Sequence, residues 1–135
     1  MNRSLRTRIL ALAGATALAV LALAGPAEGA PADTTGQSVY IADTGNGRVV
    51  EVDPAGVQTT VAAGLSFPFG VAVDAGGNVY IADAGTDLVV KVTPAGAQTA
   101  VPAAGLNNPF GVAVDAGGNV YIADSGNHVI RRVAH

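Results

Sequence analysis

Sixteen consecutive residues, PFGVAVDAGGNVYIAD, occur twice in this chain, as 68–83 and again as 109–124. An identity of that length does not arise by chance. A shorter related core stands earlier, where SVYIADTG at Ser38–Gly45 matches NVYIADAG at Asn78–Gly85 and NVYIADSG at Asn119–Gly126, at offsets of 40 and then 41 residues. A recurring unit of this length is a supersecondary structure that buries its apolar surface only by stacking on its own copies. Solenoids and propellers are the architectures with this period, and the content of the unit decides between them.

Each unit reads as short β runs separated by turn residues, with none of the 3.6-residue spacing of an amphipathic helix. Four strands are predicted per unit: an innermost one at Gly70–Val73 and Gly111–Val114, a second at Val39–Ala42, Val79–Ala82 and Val120–Ala123, a third at Arg48–Val52, Leu88–Val92 and Val129–Val133, and a fourth at Gln58–Val61 and Gln98–Val101. The turns agree with this register. Asp74–Asn78 and Asp115–Asn119 read Asp-Ala-Gly-Gly-Asn, in which the carboxylate bonds the backbone ahead and Gly accepts positive φ. Asp53-Pro54-Ala55-Gly56 and Thr93-Pro94-Ala95-Gly96 place Pro where a type I turn fixes φ. The connections from fourth to first strand, Ala63–Phe69 and Ala104–Phe110, are longer, as they must be if the chain leaves the rim of one sheet and enters the centre of the next.

An antiparallel strand with one wet face alternates apolar and polar residues. Here Val-Tyr-Ile-Ala and Val-Ala-Val are apolar on both faces, which fits a sheet sandwiched between neighbours. Charge is confined to the third strand, as Glu51, Lys91, Arg131 and Arg132. Tyr40, Tyr80 and Tyr121 share one slot of the repeat and Phe69 and Phe110 another; all five are expected in the core between sheets.

The first 32 residues differ in kind. Arg3, Arg6 and Arg8 precede the apolar run Ile9–Ala24, which breaks at Gly25-Pro26, the layout of a secretory signal peptide. The run is shorter and richer in Ala than the ~20 apolar residues of a membrane-spanning helix. Ala30-Pro31-Ala32 supplies small residues for cleavage before Asp33, with a cut after about Ala27 as the alternative. Residues 1–32 are therefore expected to be a signal peptide, 33–37 a short linker and 38–135 the repeat domain of a secreted, extracytoplasmic protein without stable membrane insertion. The chain has no Cys, so no disulfide contributes to it. From Asp33 onward nine acidic side chains face four basic ones, a net charge of minus five, with Arg131-Arg132 the one basic pair. Nucleic-acid binding needs clustered positive charge, so DNA and RNA are excluded as expected partners.

The motifs resemble the NHL repeat, in which Pro-x-Gly-Val-Ala-Val-Asp is followed by Gly-Asn-Val-Tyr-Val-Ala-Asp and then Asn-His-Arg-Val. Asn127-His128-Val129-Ile130 is similar to the last part, Asn46-Gly47-Arg48-Val49 matches it with Gly at the His position, and Thr86-Asp87-Leu88-Val89 departs from it. The resemblance covers Ser38–Val133. It implies an all-β fold of β-propeller blades. Gly105–Gly111 also looks like the phrasing of exported sensor propellers of bacterial serine/threonine kinases, although no kinase domain is present. Streptogramin-lyase propellers look similar but favour tryptophan, which this chain lacks.

Ten predicted strands make about three blade-equivalents, whereas a closed ring needs at least four blades. Each bare end would expose four strands ~4.8 Å apart and ~16 Å long, roughly 300 Å², forgoing up to about 7 kcal/mol of burial at ~25 cal/mol/Å². Two resolutions present themselves: a head-to-tail homodimer closing a six-bladed ring, or a chain truncated from a longer NHL-repeat protein, since it stops at His135 where a third-to-fourth-strand turn should begin.

Chemistry is sparse. Ser125 and His128 lie three apart, but the other units put Thr44 or Ala84 and Gly47 or Asp87 in those slots, so a turn role is expected for both. A catalytic zinc wants three protein ligands, and only His128 and His135 exist. Asp43, Asp83 and Asp124 end the second strand of each unit on one rim. They would either gather Ca²⁺, which takes six to eight oxygens, or bond the amides of the adjoining turn, the preferred reading; Asp74 and Asp115 receive the same structural reading. The expected function is thus binding of a protein or small ligand, non-catalytic and without cofactor or metal, at a loop rim that includes Asp43, Asn46, Arg48, Asp83, Asp87, Asp124, Asn127 and His128. A metal-dependent propeller lyase or hydrolase is the alternative.

Overall fold

The computed structural model describes residues 21–23 and 36–135. Eleven strands are described: β1 (Leu21–Leu23), β2 (Val39–Asp43), β3 (Arg48–Val52), β4 (Gln58–Ala62), β5 (Pro68–Val73), β6 (Val79–Asp83), β7 (Leu88–Val92), β8 (Gln98–Ala100), β9 (Pro109–Val114), β10 (Val120–Asp124) and β11 (Val129–Val133). They form three antiparallel sheets, β1-β2-β3-β4, β5-β6-β7-β8 and β9-β10-β11, each following the chain without a crossover. These are all-β propeller blades, three of them, stacked face to face and short of a full ring.

The expected strands are present within one or two residues of their bounds. One strand was not foreseen. β1 lies in the apolar run read as a leader, and it pairs with β2 in the register Leu21↔Ile41, Ala22↔Tyr40, Leu23↔Val39. In the second blade Val71, Ala72 and Val73 face Ile81, Tyr80 and Val79 in the same way, and in the third Val112, Ala113 and Val114 face Ile122, Tyr121 and Val120. Leu-Ala-Leu thus takes the place of Val-Ala-Val. The apolar alternation is the same, although no turn signal leads to it. The remainder of the expected signal peptide, including the cleavage site, and linker residues 33–35 lie outside the described residues.

The core has two inter-blade layers and a separate cluster on the first blade, Val39, Ile41, Val50 and Val52. Tyr40, Val49 and Ala62 of the first blade pack with Val71, Val79, Ile81 and Val92 of the second. Tyr80, Val89 and Val101 of the second pack with Val120 and Ile122 of the third, with Leu106 from the connection. A strand apolar on both faces is the sequence signature of this stacking. The innermost strands approach backbone to backbone: a Cβ placed on Gly70 would stand 2.7 Å from the Phe110 carbonyl oxygen and 2.9 Å from Gly111 Cα. Only glycine permits that spacing.

Aromatic placement departs in part from expectation. Tyr40 and Tyr80 are buried between blades, but Tyr121 is half-buried. Phe69 and Phe110 stack on each other with ring centroids 4.6 Å apart, and Phe110 remains 42% exposed. The ladder shows why. Pro68 pairs with Asp83 and Gly70 with Ala82, so Phe69 is the extra residue of a β-bulge; Phe110 stands alike between Pro109 and Gly111. A bulge re-aims the side chain it carries.

Candidate functional site

The second strand of every blade ends in Asp and runs into a short turn closed by a residue in the left-handed region. That residue is Gly47 (φ 59°), Asp87 (φ 56°) and His128 (φ 57°) in the three blades. In the first and third blades the turn is a 3-10 helix, Thr44–Asn46 and Ser125–Asn127. The His128 N–H donates to the Ser125 carbonyl at 3.2 Å, so His128 closes the loop as its position in the repeat suggests. Asp and His tolerate this conformation better than most residues with a Cβ. Gly47 has no such freedom of replacement, since its Cβ would lie 2.4 Å from the Leu65 carbonyl oxygen. That contact accounts for glycine at the motif's His position.

The eight residues nominated from the sequence are held by these contacts in separate clusters, one per blade. In the first, Asn46 Nδ2 donates to both Asp43 carboxylate oxygens at 3.0 and 2.9 Å, and Arg48 Nε donates to Asp43 Oδ2 at 2.7 Å. In the second, Asp83 is fully buried and accepts from the Phe67 N–H at 2.7 Å, from the Ser66 N–H and from Thr86 Oγ1 at 2.9 Å. Asp87 Oδ1 accepts from the Asn108 N–H at 2.7 Å, tying the second blade's turn to the connection that enters the third. In the third, buried Asp124 accepts from the Asn107 N–H at 2.7 Å, from Asn127 Nδ2 at 2.8 Å and from Arg131 Nε.

Asp83 and Asp124 bond backbone amides as expected, but not those of the adjoining turn, whereas Asp43 bonds the side chains of Asn46 and Arg48. The amides bonded by Asp83 and Asp124 belong to the connection from the preceding blade. The turn after each Asp instead donates its own N–H groups to that connection, Ala84 to the Phe67 carbonyl at 3.0 Å and Gly126 to the Asn107 carbonyl at 2.8 Å. Asp83 and Asp124 are therefore clasps on the connections between consecutive blades. The nominated residues did not include Ser66, Thr86, Asn107, Asn108 and Arg131, whose carboxylate partners lie up to 21 residues away; the equal spacing of Ser66 to Asp83 and Asn107 to Asp124, 17 residues, was the available signal. Asp74 and Asp115 behave as expected: each accepts two backbone N–H bonds at 2.9 Å within its own turn, then the hydroxyl of Tyr80 or Tyr121 at 3.1 or 3.0 Å.

These bonds set the electrostatics. The Arg48 bond holds Asp43 below its ordinary 3.8, aided by Asn46 and opposed by burial. Burial pushes the carboxyls of Asp74 and Asp124 up, but bonds from Asn78, Tyr80 and Gly76 on the former, and from Asn127, Asn107 and Arg131 on the latter, outweigh it and leave both lowered. The Asn119 bonds lower Asp115. A depressed carboxylate stabilises the fold above its unfolded value and loses that contribution as pH falls through the folded value. Burial, with the Glu51 carboxylate beside it, raises Tyr40 from 10.0 to about 12; its contribution is full below pH 10 and is lost as pH rises toward 12. The melting temperature is accordingly expected to be level between pH 5 and 9, and to fall below pH 4 and again above pH 10. A melting temperature that does not drop between pH 4 and 2 would contradict the carboxylate bonds.

Among polar loop residues this rim also exposes aromatic ones. Phe67 is 56% exposed on the connection pinned by Asp83, and the Phe69–Phe110 pair stands next to it on the bulged starts of β5 and β9. Among the described residues no group of three or more His, Cys, Asp or Glu side chains is disposed to hold a metal ion.

The NHL-repeat family profile matches residues 106–132. Among solved structures, the chain is similar to a streptogramin B lyase, with a TM-score of 0.64 and 16% identity over 78% of this chain and 36% of that one. A gluconolactonase from Xanthomonas campestris gives a TM-score of 0.56 and 21% identity over 64% and 30%, and a Bacteroides thetaiotaomicron protein of unknown function 0.61 and 22% over 72% and 32%. Residues 106–132 thus carry an NHL repeat, and the fold is that of β-propeller blades. The internal identity of 68–83 with 109–124 extends the motif from the matched third blade of this chain to its second. At such identities the likeness to solved structures concerns the fold. The chain spans about a third of the length of these neighbours, and no curated protein is similar enough in sequence to match it.

Proposed function

We propose that this chain is an exported NHL-repeat module that binds a ligand or protein partner through the loop rim around Phe67, Phe69 and Phe110, without catalysing a reaction on it. The observation that carries this reading is the division of labour on the rim. The carboxylates that acid–base chemistry would need are bonded to loop amides and side chains, while Phe67 and Phe110 stand open to solvent. Exposed Phe costs solvation in the free protein, and aromatic anchors dominate binding energy where a partner covers them.

The lyase or hydrolase reading draws on fold likeness to a streptogramin B lyase and a gluconolactonase, and a shared fold does not carry a shared site. Its discriminating measurement is metal content with turnover. The Arg-led apolar run and Ala30-Pro31-Ala32 support export; N-terminal sequencing of the exported protein is expected to begin at Asp33, a cut that removes β1 and leaves the first blade with β2, β3 and β4.

The binding reading predicts that small molecules found by thermal shift lose affinity at least tenfold in Phe67→Ser, with the melting temperature of the free protein within about 2 °C of the parent. Binding that survives Phe67→Ser and Phe110→Ser, or stoichiometric metal with turnover, would overturn it.

A further inference from the structure

The third blade turns one face toward the second blade and one toward solvent, and the solvent-facing residues are repeat copies of residues that are covered elsewhere. Ile130 is 71% exposed, whereas Val89 and Val49, at the same position of the second and first blades, are both at 0%. Ala113 is exposed where Ala72 is buried, and Tyr121 and Ala123 are half-buried where Tyr80 and Ala82 are buried. Glycine shows the same contrast. At Gly70 the neighbouring backbone of β9 fills the space beside Cα, whereas at Gly111 a Cβ would meet only Ala123 Cβ of its own blade, at 3.4 Å.

We propose that this face, centred on Ile130 and Tyr121, is a docking surface for the first blade of a second copy of this chain, joined head to tail. The two internal interfaces specify the occupant. A Tyr and a β-branched residue from one blade, Tyr40 with Val49 or Tyr80 with Val89, are answered by a Val/Ile set from the next, Val71, Val79, Ile81 and Val92 or Val120 and Ile122. On the first blade Val39, Ile41 and Val52 are the repeat equivalents of Val79, Ile81 and Val92, and with Val50 they cluster with one another and not with either neighbouring layer. They are buried in the single chain, and docking sets the partner's Tyr121–Ile130 face against them.

Area favours closure at both ends. A face of three or four strands presents roughly 250–300 Å², so one contact buries about 500–600 Å² in total, under the ~1,200 Å² of a stable interface. Two such contacts in a closed pair bring the total to about that threshold.

Light scattering on the chain made with its own N-terminus, its length read by intact mass, is expected to give two copies. Ile130→Glu is expected to give one copy with an unchanged far-UV circular dichroism spectrum, and Ala113→Glu, on the same face, serves if that variant does not fold. Val57→Glu, at an exposed apolar site in a hairpin turn, should leave two copies. Because the chain has no Cys, Ile130→Cys also reports orientation: a head-to-tail pair keeps the two thiols apart. A single-copy parent, as expected if further blades of a longer chain are the natural occupant, overturns the proposal. So do two copies that persist in both charged variants, and so does a disulfide-linked Ile130→Cys dimer.

Discussion

Gly70→Ala is expected to lower the unfolding free energy by about 2–3 kcal/mol, the upper end of the overpacking range, and the melting temperature by roughly 10–20 °C for a domain of this size. The added Cβ would lie 2.7 Å from the Phe110 carbonyl oxygen, 2.9 Å from Gly111 Cα and 3.0 Å from the Val112 nitrogen. These are backbone atoms held by the β9–β10 ladder, so they cannot rotate aside as a flexible side chain would. The same substitution one unit later, Gly111→Ala, meets only a 3.4 Å contact and is expected to cost less than about 1 kcal/mol. Two glycines in identical sixteen-residue contexts should therefore differ severalfold in sensitivity, as read by thermal unfolding followed by circular dichroism. Equal losses would mean that β5 and β9 do not approach as described. The pair also bears on assembly: a second copy seated on the third blade would crowd Gly111, so Gly111→Ala should weaken the oligomer more than the fold.

The blades were legible because each local signal agreed with the others. Asp-Ala-Gly-Gly-Asn fixes a hairpin, Thr-Pro-Ala-Gly fixes the next, and the apolar run between them has the right length for one strand buried on both faces. The position of β1 was hidden for the opposite reason. Leu21–Leu23 sits in an Ala/Leu run whose composition speaks of a leader, and three residues are too few to show a period; only pairing with β2, some eighteen residues on, reveals them as an inner strand.

The rim was legible in its residues and opaque in its connections. Asp43, Asp83 and Asp124 stood out because they recur, and recurrence marks an architectural role as readily as a functional one. Their partners were opaque because hydrogen bonds that span blades, such as Asp83 to Phe67 or Asp87 to Asn108, obey no local rule of turn or cap. The bulges at Phe69 and Phe110 were equally silent. Both phenylalanines occupy a strand-like sequence, and it is the tertiary demand that Pro68 and Pro109 meet the strand-ending Asp that displaces them from the ladder.

The clasp formed by Asp83 offers the sharpest test of how the rim is held. Its carboxylate is buried and accepts bonds from two backbone N–H groups, of Ser66 and Phe67, and from the Thr86 hydroxyl. Asp83→Ala leaves these donors without an acceptor in a site closed to water, and an unsatisfied buried donor costs about 1–3 kcal/mol. A loss of about 3 kcal/mol is expected, together with at least tenfold faster hydrogen exchange at the Ser66 and Phe67 amides. Asp83→Asn keeps one acceptor oxygen but turns an amide toward donors, and should cost about 1–2 kcal/mol. Asp43→Ala is the control. Its partners are the side chains of Asn46 and Arg48 on a more open surface, which return to water when released, so its cost should stay near about 1 kcal/mol or below. Should Asp43→Ala prove as damaging as Asp83→Ala, the distinction between a buried clasp and a surface pair would fail. If the order holds, Asp83→Ala should also loosen Phe67 and lower affinity for whatever the rim binds, linking a single strand-ending carboxylate to both the docking of consecutive blades and the shape of the surface they present.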